Sequence, residues 1–375
     1  MNDTVKIIIS LLVVIVVIAI GTSFSNTKNP TSQEGPIQIG VSIPVSGEAA
    51  SYGEAAMGGL ELAVKEINAD GGINGREVEL IIEDDKCSKD GSTVINKLSN
   101  IDKVDAIIGP ICSSAAGPGL PISQAAGIPT VLIGASAPAL TSVGDYIFRN
   151  NPSDTFQGAF AAKYIAETYN TPKVALLYVK NDWGQGLHDV FVAEYEKLGG
   201  EIVFKEGVAQ DTSDLRTPIT KLKASNPEVI YYPMYVSGGI AGLKAMKDLE
   251  VNVPVIGGDA FEAAEVLSAP EADGVFYLTG KFNKPEEFKS RVTKETGVES
   301  INFITPIAYD AVYVIAEAIK KAGSTDHEKI RDTLSDLVYS ESIAYPIIDF
   351  DELGELKDVS LQMNQIKDGE GVAIE

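Results

Sequence analysis

From residue 37 onward the chain alternates short apolar runs with amphipathic stretches. "IQIGVSIP" (37–44) has the character of a strand. The next stretch, "YGEAAMGGLELAVKEINADGG", repeats Ala56, Leu60, Ala63, Val64 and Ile67 at helical spacing and stops at Gly71-Gly72. "EVELIIED" then predicts a strand, "GSTVINKLSN" a helix and "VDAIIGP" a strand. "AAGPGLPISQAAG" predicts a helix broken by its prolines, and "IPTVLIGA" a strand. After Asn151 the order returns. "KVALLYV", "EIVFKEG", "PEVIYYP" and "VPVIGGDA" are strand-like, and "GLHDVFVAEYEKLGG", "LRTPITKLKAS" and "GGIAGLKAMKDLE" are helical. Leu80 and Val203, like Ile107 and Ile230, lie 123 positions apart, although few residues are shared between the halves. The architecture repeats rather than the residues.

Alternation of this kind implies mostly parallel sheets covered on both faces. The predicted fold class is α/β, with two doubly wound lobes. Further on, "GVFYLTGKF" (274–282) is apolar. "EEFKSRVTKETG", "TPIAYDAVYVIAEAIKKAG" and "HEKIRDTLSDL" are helical, and "YPIIDFDELGELK" predicts a strand, a turn at Glu352-Leu353-Gly354 and a return strand. No low-complexity linker separates the lobes. The chain is expected to pass between them near 149–152, 279–282 and 342–348, which makes a three-crossover hinge. Lobe 1 is assigned 37–150 and 281–343, and lobe 2 151–280 and 344–375.

The amino-terminal pattern differs. Ile7 to Ile20 is apolar apart from Ser10, and a polar tract rich in Ser, Thr, Asn and Pro follows. Residues 1–24 suit either a cleaved signal peptide or a retained membrane anchor, and residues 25–36 a tether. No cysteine follows the apolar run, so a bacterial lipid anchor there is excluded. Either reading places the rest of the chain outside the cytoplasm, with the membrane touched only through this segment.

Composition narrows the chemistry. A net charge of −23 argues against nucleic acid and against an anionic membrane surface as partners. Two histidines and two cysteines leave little material for a zinc site or histidine-based catalysis, so neither metal nor cofactor is expected. No phosphate-binding loop, dinucleotide fingerprint or nucleophile elbow occurs, which leaves an extracellular hydrolase without a nucleophile–base pair. Cys87 and Cys112 each follow a strand-like run. Outside the cytoplasm they suit a disulfide, the alternative being two separate buried thiols.

Ligands of open α/β sheets bind beyond the carboxyl ends of the strands. Those positions hold Tyr52, Ser113, Ala135 and Ser136 in the first half, and Trp183, Tyr235 and Asp259 in the second. Hydroxyls and helix-start N–H groups suit a carboxylate, Asp259 suits an ammonium, and aromatic faces supply flat walls. Taken singly, Ser113 also suits a helix cap, Asp259 a turn and Trp183 a core. Together they suit a zwitterionic amino acid.

The stretches "IGVSIPVSGEAASYGEAAMGGLELAVKEINADGGINGREVELIIEDD", "IIGPICSS", "IPTVLIGASAPALT", "FRNNPSDTFQG" and "IIDFDELGEL" occur in that order. With them the chain resembles the periplasmic leucine/isoleucine/valine-binding proteins of ABC transporters over residues 37–375. The resemblance implies two lobes closing on a ligand, a Cys87–Cys112 disulfide loop, and Ser113 bound to the ligand carboxylate. It implies Ala135 and Ser136 as a small-plus-hydroxyl pair contacting carboxylate and ammonium, with Gly134 where a contacting alanine can occur. It also implies Tyr52, Trp183 and Tyr235 as an aromatic wall and Asp259 as partner of the ammonium. Asp259 stands where glutamate is common and Trp183 where the leucine receptors have tyrosine, so a different amino acid is open. The expected function is a monomeric extracytoplasmic receptor that hands a branched-chain or other apolar amino acid to ABC permease subunits. The alternative is a membrane-anchored amino-acid or amide sensor that signals through a partner.

Overall fold

A computed structural model describes residues 35–374 apart from 282, 284 and 285. The expected signal or anchor (1–24) lies outside the described residues, as does the tether up to residue 34. No described helix is long and apolar enough to cross a membrane.

The first half runs β1 (Ile37–Ile43), α1 (Ala50–Ala69), β2 (Val78–Asp84), α2 (Gly91–Asn96), β3 (Ala106–Ile108), α3 (Ser113–Ala126), β4 (Thr130–Leu132) and β5 (Ile147–Arg149). The second runs α4 (Asp154–Thr168), β6 (Lys173–Val179), α5 (Asp182–Lys197), β7 (Glu201–Val208), α6 (Arg216–Ala224), β8 (Val229–Tyr232), α7 (Val236–Asp248), β9 (Val255–Gly257), α8 (Ala264–Leu267) and β10 (Phe276–Gly280). Three helices follow: α9 (Glu286–Thr296), α10 (Ile304–Ala322) and α11 (His327–Ser335). The chain ends with β11 (Val338–Tyr339), β12 (Ile348–Asp349), β13 (Leu361–Lys367) and β14 (Glu370–Ala373).

The halves build two sheets of one design. The first has the order β2-β1-β3-β4-β5, all parallel. The second repeats it as β7-β6-β8-β9-β10, and the antiparallel hairpin β13–β14 then extends it beyond β10. The inner strands β3, β4, β8 and β9 are buried at every position, which is why they read as unbroken apolar runs. The edge strands β2 and β7 carry charged residues among apolar ones and are largely half-buried.

Three expectations change. The helix expected to break at Pro118 and Pro121 runs uninterrupted from Ser113 to Ala126. An interior proline costs a helix about 3 kcal/mol. Here Gly119 lets α3 lie against Ile95 and the Gly91 carbonyl of α2, and that packing holds the helix together. The return strand after Glu352–Gly354 shrinks to a single bridge between Phe350 and Leu356, while β12 pairs with β11 instead. Finally, Gly354 accepts from the Arg149 N–H and Phe350 packs on Phe148, so residues 350–356 lie along the first sheet. Tyr345 touches the hinge, its hydroxyl donating to the Asn150 carbonyl at 3.1 Å. The last passage to the second sheet falls at 358–360, where the Lys281 N–H donates to the Ser360 carbonyl at 2.7 Å.

Helix α10 is buried along most of its length and packs on α1. Their closest approach is at Gly59, where a Cβ would collide with the Thr305 carbonyl oxygen and sit 2.9 Å from the Tyr309 nitrogen. Gly59→Ala is expected to lower stability by about 1–3 kcal/mol, the usual cost of overpacking, read from the urea midpoint at unchanged slope.

Candidate functional site

In each sheet the strand order reverses its winding between the first and third strands, and a crevice opens there at the carboxyl edge. Residues from both edges line a common, partly open cavity. Tyr52, Ser113, Gly134, Trp183, Tyr235 and Asp259 line it, all six anticipated from the sequence. Ile111, Cys112, Ala260, Phe303 and Ile304 complete the wall. Ala135 and Ser136 do not line the cavity. Both are buried in the loop behind it, and the Ser136 N–H donates to Ser113 rather than facing inward.

Ser113 opens α3, where the Ala115 and Ala116 N–H groups donate to the Cys112 carbonyl and only those ahead of them precede the first intrahelical bond. It does not cap the helix, because the N-cap position is Cys112 and makes no side-chain cap bond. Instead Ser113 Oγ accepts from the N–H groups of Ser136 (3.2 Å) and Ala137 (3.1 Å). With its lone pairs so engaged, the hydroxyl keeps its proton for donation. A disulfide joins Cys112 to Cys87, whose N–H donates to the buried Asp85 carboxylate at 2.8 Å. Ser114 donates to the Cys87 carbonyl at 2.8 Å. The start of α3 is thus held from both sides. Gly134 admits no larger residue without movement, since a Cβ would lie 2.9 Å from both the Ile111 carbonyl oxygen and its Cγ2.

On the opposite edge Asn181 caps α5 by accepting from the Gly184 N–H at 3.0 Å, which fixes Trp183 in the first turn. The indole stacks on Tyr235, with ring centroids 4.8 Å apart and planes 8° from parallel. Asp259 follows β9 and accepts from Gln157 Nε2 at 3.1 Å. Burial pushes its carboxyl up to about 6, and the Gln157 bond and nearby backbone N–H groups offset part of that rise. It has no ion-pair partner among the described residues.

Hydrogen bonds join the two sides of the cleft, among them that of the Asp154 N–H, which donates to the Ser136 carbonyl at 2.8 Å. The Tyr52 hydroxyl donates to the Ala260 carbonyl at 3.0 Å, and Gln210 Nε2 donates to the Cys87 carbonyl at 3.4 Å. The edges are therefore closed on one another. Such a cavity is lined by a hydroxyl, a carboxylate and apolar side chains.

Several wall residues were not anticipated. Phe303 and Ile304 reach the site from the start of α10, far along the chain, and their apolar character gives no local sign of it. Behind the wall, Asp154 and Gln157 are fully or almost fully buried beside Asp259. Their signal was present in "FRNNPSDTFQG", but pattern alone attached no chemistry to it.

The fold and this interlobe cavity define a two-lobed solute-binding protein. A profile of the periplasmic binding protein family matches residues 36–369, and the chain belongs to that family. It is 30% identical over 334 residues to a leucine-, isoleucine-, valine-, threonine- and alanine-binding protein of Pseudomonas aeruginosa, covering 86% of this chain and 87% of that one. Among solved structures, a branched-chain amino acid transporter substrate-binding protein of Streptococcus pneumoniae in complex with isoleucine superposes with a TM-score of 0.81 at 26% identity, over 90% of this chain and 99% of that one. A leucine-binding protein of Thermotoga maritima reaches 0.84 at 23% identity, over 90% and 98%, a likeness of fold.

The disulfide closes a loop with a sequence separation of 25. Its removal in a Cys87→Ser, Cys112→Ser double variant should cost about 3 kcal/mol by loop-closure entropy. Wild type unfolded under reductant should approach the variant's urea midpoint, and the variant itself should be insensitive to reductant.

Proposed function

We propose that the protein captures a zwitterionic amino acid with an apolar side chain in this cleft and delivers it to an ABC importer outside the cytoplasm. Asp259 carries the reading: a carboxylate with no cationic partner among the described residues lines the same cavity as Ser113 at the start of α3. In this reading Ser113 and the α3 N–H groups hold the ligand carboxylate. Asp259 pairs with the ammonium, and the Trp183–Tyr235 stack flanks it. Ile111, Phe303 and Ile304 receive an apolar side chain. Relatives that bind leucine, isoleucine and valine support the ligand class. The ligand touches both edges of the cleft, so it favours the closed state over the open one.

Trp183 is the only tryptophan and lines the cavity, which makes its fluorescence a direct reporter. Titrating the twenty amino acids one at a time should identify those that change its emission. Asp259→Ala should weaken the selected amino acid by about 3 kcal/mol, more than a hundredfold, because it strands a buried ammonium. Wild-type affinity in that variant would refute the site.

The raised Asp259 carboxyl predicts a pH profile. Above about 6 the side chain is already ionised and affinity should be flat. Below that, binding the ammonium must expel a proton, so affinity should fall by about tenfold per pH unit. Calorimetry in two buffers of different ionisation enthalpy should detect proton release on the acid side alone.

A further inference from the structure

The first lobe buries an arginine that the proposed binding chemistry does not use. Arg149 ends β5 with no exposed surface, inside the "FRNNPSDTFQG" stretch. A buried cation is costly to hold, and an apolar residue would pack there without that penalty. Glu355 supplies a counter-charge at 3.0 Å from Nη2 and itself accepts from Thr141 Oγ1 at 2.6 Å. The fork also grips the loop behind the cleft: Nη1 donates to the Ser136 carbonyl, and Nη2 donates to the Ala137 carbonyl at 3.0 Å. The Asp154 N–H donates to the same Ser136 carbonyl at 2.8 Å, which occupies both of its lone pairs. The Ser136–Ala137 peptide is trans, so its C=O and N–H lie on opposite sides. With the carbonyl turned toward Arg149, the N–H of the same peptide unit, which belongs to Ala137, points the other way and meets Ser113 Oγ at 3.1 Å. Were this peptide turned over, its carbonyl oxygen would face Ser113 Oγ and take the hydroxyl proton itself.

We propose that Arg149 is a positioning residue for ligand binding: by holding the Ser136–Ala137 peptide with its N–H toward Ser113, it keeps the Ser113 proton free for the ligand carboxylate. This rests on the amino-acid reading only in naming the group that receives the proton. Among the described residues no lysine or arginine lines the cavity, and Arg149 itself stands behind it. Its charge reaches the site through hydrogen bonds. A cation on the carbonyl makes the N–H of the same peptide a stronger donor, and a serine oxygen that accepts from that N–H becomes a stronger donor in turn. The ligand carboxylate thereby gains part of a cation's attraction, while no cation lies in the cavity to compete for Asp259. Both nitrogens of the fork are needed. A single bond to Ser136 would leave the loop free to turn about it, and the second, to Ala137, fixes the following peptide as well. Lysine, with one ammonium in place of a planar fork, cannot reproduce the pair.

The test is a double-mutant cycle on leucine affinity, read from Trp183 fluorescence. Arg149→Lys should weaken leucine about tenfold, and Ser113→Ala at least as much. In the Ser113→Ala background, Arg149→Lys should change affinity by less than about twofold, because the proton it protects is gone. A merely structural arginine would lose the same factor in either background, and that additivity would overturn the proposal. Wild-type leucine affinity in Arg149→Lys would overturn it too. A second measurement needs no ligand. Amide hydrogen exchange followed by NMR should show the Ala137 N–H protected in the ligand-free wild type and about tenfold faster in Arg149→Lys, with the amides of β6 unchanged. An unprotected Ala137 amide in wild type would overturn the proposal whether or not the variant folds. A wild-type protein indifferent to leucine and to every other amino acid would count against the amino-acid reading, while the exchange rates would still decide whether Arg149 holds the peptide.

Discussion

Parallel pairing imposes the constraint on which the rest depends. When every strand of a doubly wound sheet runs the same way, all its carboxyl ends share one edge, and the chain must leave each of them through a loop or a helix start. Each sheet here obeys this over five strands in the same order. Six of the cavity residues anticipated from sequence come from such ends: Tyr52 after β1, Ser113 after β3, Gly134 after β4, Trp183 after β6, Tyr235 after β8 and Asp259 after β9. No residue had to be brought from the interior of an element. Orienting two such edges toward one another suffices to assemble donors, rings and a carboxylate around one small volume.

The cleft is closed by modest means. A hydroxyl bond from Tyr52, an amide bond from Gln210 and the Asp154 N–H bond to Ser136 join its sides, each worth on the order of 1 kcal/mol, and α3 packs on α5 beside them. Under the proposed function, a ligand that grips both edges would add its contacts to these and favour the closed arrangement. The α3 start is by contrast rigid, fixed by the disulfide, by the Ser114 bond and by the two amides on Ser113.

Much of this was legible in the sequence because long, strongly patterned elements advertise themselves. The seven residues of "KVALLYV" form β6 without adjustment, and the doubling of the chain reappears as two sheets of one order. Short elements were not legible: β5 has three residues and β11 two, too few to show a period. The hairpin β13–β14 escaped because its strands mix polar and apolar residues at the rim of a sheet, and only pairing with β10 explains them. Pro118 and Pro121 misled because local propensity was overruled by packing on α2. At the site, charge and ring types at strand ends were readable. Phe303 and Ile304 were not, since their place depends on a helix docking from afar. Nor did pattern separate Ala135 and Ser136 from the wall they support.

The hairpin also bears on how the molecule is made. Strand β10 borders β9 on one side and β13 on the other, yet about eighty residues separate it from β13, and in between the chain returns to build the flank of the first sheet. A polypeptide emerging amino end first therefore cannot finish its second lobe until β13 and β14 are available. Nor can it finish the first lobe while α10 is missing. Neither lobe is therefore a contiguous stretch of sequence: each is completed only by residues that follow the strands of the other.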